Sequence, residues 1–273
     1  MKKWLIAAAL IAAVGLTGCL LTFRSSGVFD RKAWQSEKTV AVAGITEVSI
    51  DAQAADVEVA PHAGGHIIVT ANGSGNGYDP QGVTVTRSGS RLSISEHEPV
   101  DSLRVGFFSY MHVTVQLPAR AYRLLAVHTN AGNLSLRGIH GIGQLRAGSN
   151  AGNVRASSFS ARSAAFSSNA GGISLSDFTG GVTADADAGN IDMRTRQLSG
   201  DVRAKSNAGD VAIHFTDVPE SVAVDYGSEI GSGNIHIPGL TYLSKTQGMF
   251  RAVKGGGKYK IRVRTNAGNL TID

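Results

Sequence analysis

The string SNAGNVRA at residues 149–156 decides the fold, because close copies of it recur along the chain. The copies are TNAGNLSL at 129–136, SNAGGISL at 168–175, ADAGNIDM at 186–193, SNAGDVAI at 206–213 and TNAGNLTI at 265–272, with a degenerate IGSGNIHI at 230–237. From 129 to 206, successive copies start 20, 19, 18 and 20 residues apart. A fixed period of this size is typical of a solenoid, in which each repeat forms one coil.

The residues on both sides of each copy alternate with a period of two. Such a period places every second side chain on one face of a strand, so each copy predicts a strand, a corner and a second strand. The predicted inward positions before the corner are Leu125, Val127, Thr129, Leu145, Ala147, Ser149, Ala164, Phe166, Ser168, Val202, Ala204, Ser206, Ile261, Val263 and Thr265. After the corner they are Leu134, Leu136, Val154, Ala156, Ile173, Leu175, Val211, Ile213, Leu270 and Ile272, followed on a third side by Ile139, Phe159 and Phe178.

The Asn-Ala-Gly triplet is interpreted as a structural corner rather than a ligand site. Asn and Gly tolerate the positive φ angles that a sharp bend requires, and stacked amides can hydrogen-bond to one another. The predicted corner ladder is Asn130, Asn150, Asn169, Asp187, Asn207 and Asn266, with Ser232 replacing the Asn in the degenerate copy. The predicted fold is an all-β, single-stranded β-helix (β-solenoid), right-handed, with coils of about 20 residues and an N-terminal hairpin and cap region.

The N-terminus has the pattern of an export signal. Lys2 and Lys3 precede an apolar run at 4–23, and LTGC at 16–19 has the form of a bacterial lipobox. Cys19, the only cysteine of the chain, is therefore a candidate lipid-attachment site. The alternative is an uncleaved anchor, since about 20 apolar residues can span a bilayer. Both readings place the rest of the chain outside the bacterial cytoplasmic membrane and anchored to it.

The sequence pattern divides the chain into three predicted segments. Residues 1–24 form the signal or anchor segment, 25–40 a polar tether, and 41–273 the solenoid, of which 41–120 are irregular first coils and 121–273 the repeats. Residues 83–98 alternate around RSGS and predict a hairpin. The aromatic stretch at 107–111 fits either a cap over the first coil or a binding patch. Because the chain stops just after a strand, the last coil is expected to lack a covering element.

Repeated NAGN corners, the strand VTVQLP at 113–118 and an N-terminal anchor together resemble the bacterial "putative adhesin" family of β-strand-repeat proteins, and within it the LiaG-like envelope proteins. The resemblance covers roughly residues 40–273. It implies a β-solenoid with no catalytic residues to carry over, and it implies an adhesin-like or envelope-stress setting. A lipobox departs from the anchored members of that family, so the resemblance leaves the mode of anchoring open.

The sequence favours a binding or scaffolding role over catalysis. The sequence shows no Ser/His/Asp or Cys/His arrangement for nucleophilic catalysis. We therefore predict no catalytic residues, no metal site and no cofactor. The net charge is small, because removing Lys2 and Lys3 leaves 24 basic and 21 acidic residues. A balance of this kind does not indicate binding to nucleic acid. Outward basic residues are candidate contacts for an anionic wall polymer, unless they serve solubility or another envelope protein is the partner: Arg137, Arg155, Arg194, Arg196, Arg203, Lys205, Arg262 and Arg264. The alternative function is a β-helix enzyme acting on an acidic polysaccharide.

Overall fold

The computed structural model describes residues 32–75, 82–96 and 110–273, and within these ranges it contains strands and no helix. The strands are β1 Lys32–Ala41, β2 Glu47–Ala52, β3 Asp56–His62, β4 His66–Gly75, β5 Val83–Ser88, β6 Arg91–Glu96, β7 Tyr110–Pro118, β8 Tyr122–Ala131, β9 Leu134–Arg137, β10 Ile142–Ala151, β11 Val154–Ala170, β12 Ile173–Ala188, β13 Ile191–Thr195, β14 Val202–Ala208, β15 Val211–Phe215, β16 Val222–Ile230, β17 Gly233–Ile235, β18 Thr241–Thr246, β19 Met249–Lys254, β20 Tyr259–Ala267 and β21 Leu270–Ile272. The all-β prediction is confirmed for these residues.

Two outer faces are formed by the strands before and after the corner. On the pre-corner face β8, β10, the second half of β11, the second half of β12 and β14 pair in parallel, and Leu125, Leu145 and Ala164 are direct partners. On the post-corner face β9, β11, β12, β13 and β15 also pair in parallel. Every inward position predicted from the repeats is buried, so the alternation reports the core correctly.

The C-terminal strands are inserted into the stack. Strand β20 pairs in parallel with β14 on one side and with β16 on the other, and β21 lies in the same way between β15 and β17. The antiparallel hairpin β18–β19 then pairs with β16. The expectation that the last coil lacks a cover is therefore wrong: the preceding coil and the hairpin lie over it.

The N-terminal end is also covered by antiparallel strands. The predicted hairpin is formed by β5 and β6, and β6 continues the pre-corner face beside β2. Residues 32–40, predicted as tether, belong instead to β1, which pairs with β4 along its whole length. Met111 is buried, as a cap would require. Residues 105–109 and the predicted signal with Cys19 lie outside the described residues.

Candidate functional site

The corner side chains form a ladder along the surface. Asn150 Nδ2 donates to Asn130 Oδ1 at 2.8 Å, and Asn169 Nδ2 donates to Asn150 Oδ1 at 3.4 Å. Asn207 Nδ2 donates to Asp187 Oδ1 at 2.8 Å, and Asn266 Nδ2 to Asn207 Oδ1 at 3.5 Å. The bond between Asn266 and Asn207 crosses from the inserted C-terminal coil to the coil before it. These side chains are exposed or half-buried, so the ladder ties neighbouring coils together at the surface rather than inside the core.

A second ladder was not predicted from the sequence. It uses the Asn three residues after the first: Asn133 Oδ1 accepts from both the backbone N–H and the Nδ2 of Asn153, and Asp210 Oδ1 does the same for Asn269. Ser232 belongs to this second ladder, where its N–H and hydroxyl donate to Asn269 Oδ1. The prediction that Ser232 replaces the first Asn is wrong. The sequence feature that could have predicted this second ladder is the final Asn of NAGN, which recurs in several copies.

Under the ladders, the corner backbones touch. The buried hydroxyls of Ser149, Ser168 and Ser206 each donate to a glycine carbonyl of a neighbouring coil, at 2.8–3.0 Å. A Cβ on Gly152 would lie 2.0 Å from the carbonyl oxygen of Gly132, so no larger residue fits between stacked corners. The corner therefore has a structural role, and its polar groups are satisfied from one coil to the next.

The predicted basic contacts are distributed over three places. Arg203, Lys205, Arg262 and Arg264 lie on the pre-corner face, and we call them the four-cation block. Arg137, Arg155 and Arg194 lie on the post-corner face. Arg196 stands apart and pairs with Asp217 at 2.8 Å.

The four-cation block brings like charges side by side. Arg203 on β14 is the direct partner of Arg262 on β20, and Lys205 is the direct partner of Arg264. All four side chains are exposed. Arg264 pairs with Asp225 at 3.0 Å, whereas the other three cations have no ion pair with any described residue. The block is therefore a concentrated positive patch in the middle of the pre-corner face.

Two acids flank the block in the register of the sheet. Asp185 on β12 is the direct partner of Lys205, and Asp225 on β16 is the direct partner of Arg262. Only Asp225 comes within ion-pair distance of the block, and it does so through Arg264. Two carboxylates beside four cations offset part of the positive charge and leave the patch basic.

The three arginines of the post-corner face surround a hollow of about 500 Å³. Its walls include the hydroxyl side chains of Ser135, Ser174 and Ser176 beside Arg137, Arg155 and Arg194, and we call it the serine–arginine hollow. Parallel register places Arg155 directly between Ser135 and Ser174. Such a combination of guanidinium groups and hydroxyls can bind an oxoanion and neighbouring hydroxyl groups.

The two outer arginines of the hollow are neutralised by acids. Arg137 pairs with Glu58 at 3.4 Å, and Arg194 pairs with Asp192 at 3.0 Å. Hydrogen bonding to Asp192 raises the pKa of the Arg194 guanidinium above its usual value. The central Arg155 has no ion pair with a described residue, so its positive charge is the one left uncompensated in the hollow.

The described residues offer little for metal binding or nucleophilic catalysis. No three His, Cys, Asp or Glu side chains among them are grouped as a metal site. His214 contacts Asp273, but no described hydroxyl or thiol is hydrogen-bonded to that imidazole. Across the same ranges, no helix is long and apolar enough to cross a bilayer.

Stacked parallel coils with NAGN corners define a class of β-solenoid-like repeat protein. The chain belongs to the Toastrack DUF4097 family, whose model matches residues 125–273. This segment begins within β8, the first strand of the regular repeats, and includes both the four-cation block and the serine–arginine hollow. The predicted recognition of the adhesin-like repeat family is thereby confirmed, whereas the likeness to LiaG stays a prediction.

Several solved structures are similar to this chain. A "putative adhesin" from Bacteroides fragilis is 11% identical, with 88% of this chain and 97% of that chain covered and a TM-score of 0.44. A "putative cell adhesion protein" from Clostridium sporogenes is 13% identical, with 88% and 99% covered and a TM-score of 0.36. A "putative lipid binding protein" from Parabacteroides distasonis is 10% identical, with 88% and 97% covered and a TM-score of 0.40. No curated protein matches the chain.

Proposed function

We propose that this protein is a membrane-tethered, extracytoplasmic binding or scaffolding module of the bacterial cell envelope, that it is not an enzyme, and that its ligand is an anionic envelope polymer. The proposal includes the right-handed winding and the coil length of about 20 residues predicted from the repeats. Such a module would act in adhesion or in the response to envelope stress. The four-cation block is the observation that supports the proposal.

Like charges directly opposite each other on neighbouring strands destabilise a sheet. The two facing pairs of the block, Arg203 with Arg262 and Lys205 with Arg264, therefore oppose folding to the extent that the flanking acids leave them unbalanced. An anionic polymer lying across β14 and β20 would supply the missing negative charge. Each exposed contact is worth about 1 kcal/mol at most, so useful affinity requires many contacts along one polymer.

Charge removal tests this proposal with a matched control. The double variant Arg203→Gln/Arg262→Gln loses one facing pair of the block, whereas Arg146→Gln/Arg162→Gln loses two exposed charges outside it. We expect the first variant to bind poly(glycerol phosphate) about tenfold more weakly than the wild type, because two exposed charges that bind phosphate are removed. The second should bind nearly as the wild type does. Equal weakening by both variants, or release of reducing ends from an acidic polysaccharide, would contradict the proposal.

Tethering is the second part of the proposal, and it rests on the sequence at 16–19. A thioether-linked lipid on Cys19, or an uncleaved helix over 4–23, would hold the module at the outer side of the cytoplasmic membrane. If Cys19 carries the lipid, Cys19→Ser abolishes the incorporation of labelled fatty acid and leaves the precursor or releases the domain. A wild type that fractionates with membranes without ever taking up label instead has the uncleaved anchor.

A further inference from the structure

We propose that the serine–arginine hollow is a discrete site for one oxoanion-bearing, hydroxyl-rich unit of a polymer, such as a phosphorylated polyol or a uronic acid, and that Arg155 binds the oxoanion. The inference rests on the proposed function, because it takes an anionic envelope polymer as the ligand. It goes further in placing one particular contact on the post-corner face, away from the four-cation block.

The position of Arg155 follows from strand register. Its direct neighbours across the sheet are Ser135 on β9 and Ser174 on β12, and no bulky side chain stands at either place. Arg137 and Arg194 belong to the next outward row, two residues further along their strands. The Arg137 Nε lies 3.4 Å from the Ser135 hydroxyl oxygen, which orients that arginine toward the hollow. The long side chain of Arg155 is therefore flanked on both neighbouring strands by short serine side chains.

The distribution of charge singles out the same residue. Glu58 and Asp192 flank the hollow on opposite sides and form ion pairs with Arg137 and Arg194. These pairs leave the outer guanidiniums with part of their donors free, since their side chains are 64% and 67% exposed. Arg155, with no described acid at ion-pair distance, retains a full positive charge at the centre. An oxoanion bound there would complete the charge balance of the hollow.

The lining indicates the chemistry of the ligand. A planar guanidinium presents paired donors that match a phosphate or carboxylate in a bidentate arrangement. The serine hydroxyls donate and accept hydrogen bonds, which suits the hydroxyl groups of a sugar or polyol. The volume of about 500 Å³ is within the range of small-ligand sites. No aromatic ring lines the hollow, so a ligand that needs stacking is disfavoured.

Short oligomers separate this site from the extended block. The detergent-solubilised full chain would be titrated calorimetrically with a glycerol phosphate trimer, a galacturonic acid trimer and neutral maltotriose. We expect the wild type to bind one or both anionic trimers and not maltotriose; the tighter anionic trimer identifies the phosphate or carboxylate source. Arg155→Gln should weaken that binding at least about tenfold, because a hydrogen bond to a charged group is removed. Arg155→Lys, which keeps the charge but not the fork, should be intermediate.

The matched control is Arg146→Gln, which removes one exposed charge from the pre-corner face outside the four-cation block. We expect this variant to bind the trimers within about twofold of the wild type, because a single exposed charge contributes little binding free energy. Equal losses in Arg155→Gln and Arg146→Gln, or binding of maltotriose as tight as that of the anionic trimers, would overturn the discrete site. Absence of trimer binding in a wild type that still binds long polymer would overturn it too, while leaving the proposed function standing. Absence of any polymer binding would instead overturn the proposed function.

Discussion

The two Asn residues and the Gly of the NAGN string have different roles at the corner. The first and last Asn form two hydrogen-bonded ladders, and the Gly allows neighbouring coils to approach to a distance that a Cβ would prevent. In the copies that begin with serine, the hydroxyl before the string is buried and donates to a glycine carbonyl of a neighbouring coil. The repetition of the string therefore reflects repeated backbone contacts, and the chemistry that differs between coils is carried by the outward residues of the strands.

Ile173 tests the inward assignment at the residue scale. It is buried between Val154 and Ile191 in the neighbouring coils. Ile173→Asp would bury a carboxylate without a partner, and we expect a loss of unfolding free energy of order 3 kcal/mol or more. The matched control is Ser174→Asp, one residue along and exposed, which should melt close to the wild type. A circular-dichroism melt in which both variants are unchanged would contradict the assignment.

The alternation of apolar and polar residues predicted the strand–corner–strand unit, because a strand buried on one face has an apolar residue at every second position. It missed β1, since the polar string KAWQSEKTVA belongs to a strand on the outer edge whose described side chains are exposed or half-buried. It also missed the insertion of β20 and β21. Nearly identical corners can stack on one another in any order, so the repeats specify that coils stack and leave open which coils are neighbours.

Disulfide trapping tests the order of the elements. In a Cys19→Ser background, Lys205→Cys and Arg264→Cys stand opposite each other on β14 and β20, and adjacent strands lie about 4.8 Å apart, within disulfide reach. Lys205→Cys with Gly227→Cys would join β14 to β16, one strand further, at about 9.6 Å. We expect only the first pair to oxidise, seen as a mobility shift on a non-reducing gel. Oxidation of the second pair alone would mean that the coils stack in sequence order.

The whole molecule is a stack whose two ends are covered by antiparallel strands, β5 with β6 at one end of the pre-corner face and β18 with β19 at the other. Covered ends suit a chain that has no cysteine pair to staple it, because an open coil would expose apolar core and unpaired backbone. Between the ends, the pre-corner face carries the four-cation block and the post-corner face carries the hollow. The candidate residues were predicted from outward position, but their grouping depends on coil order and on the acids that neutralise some of them.

Salt dependence tests the central claim most directly. The detergent-solubilised full chain would be sedimented with cell walls that retain their anionic polymer and with walls stripped of it, from low salt to 1 M. We predict binding to the intact walls only, falling steeply as the Debye length shrinks from about 10 Å at 0.1 M to about 3 Å at 1 M. Equal retention on stripped walls, or binding that is insensitive to salt, would contradict an electrostatic role for the basic faces.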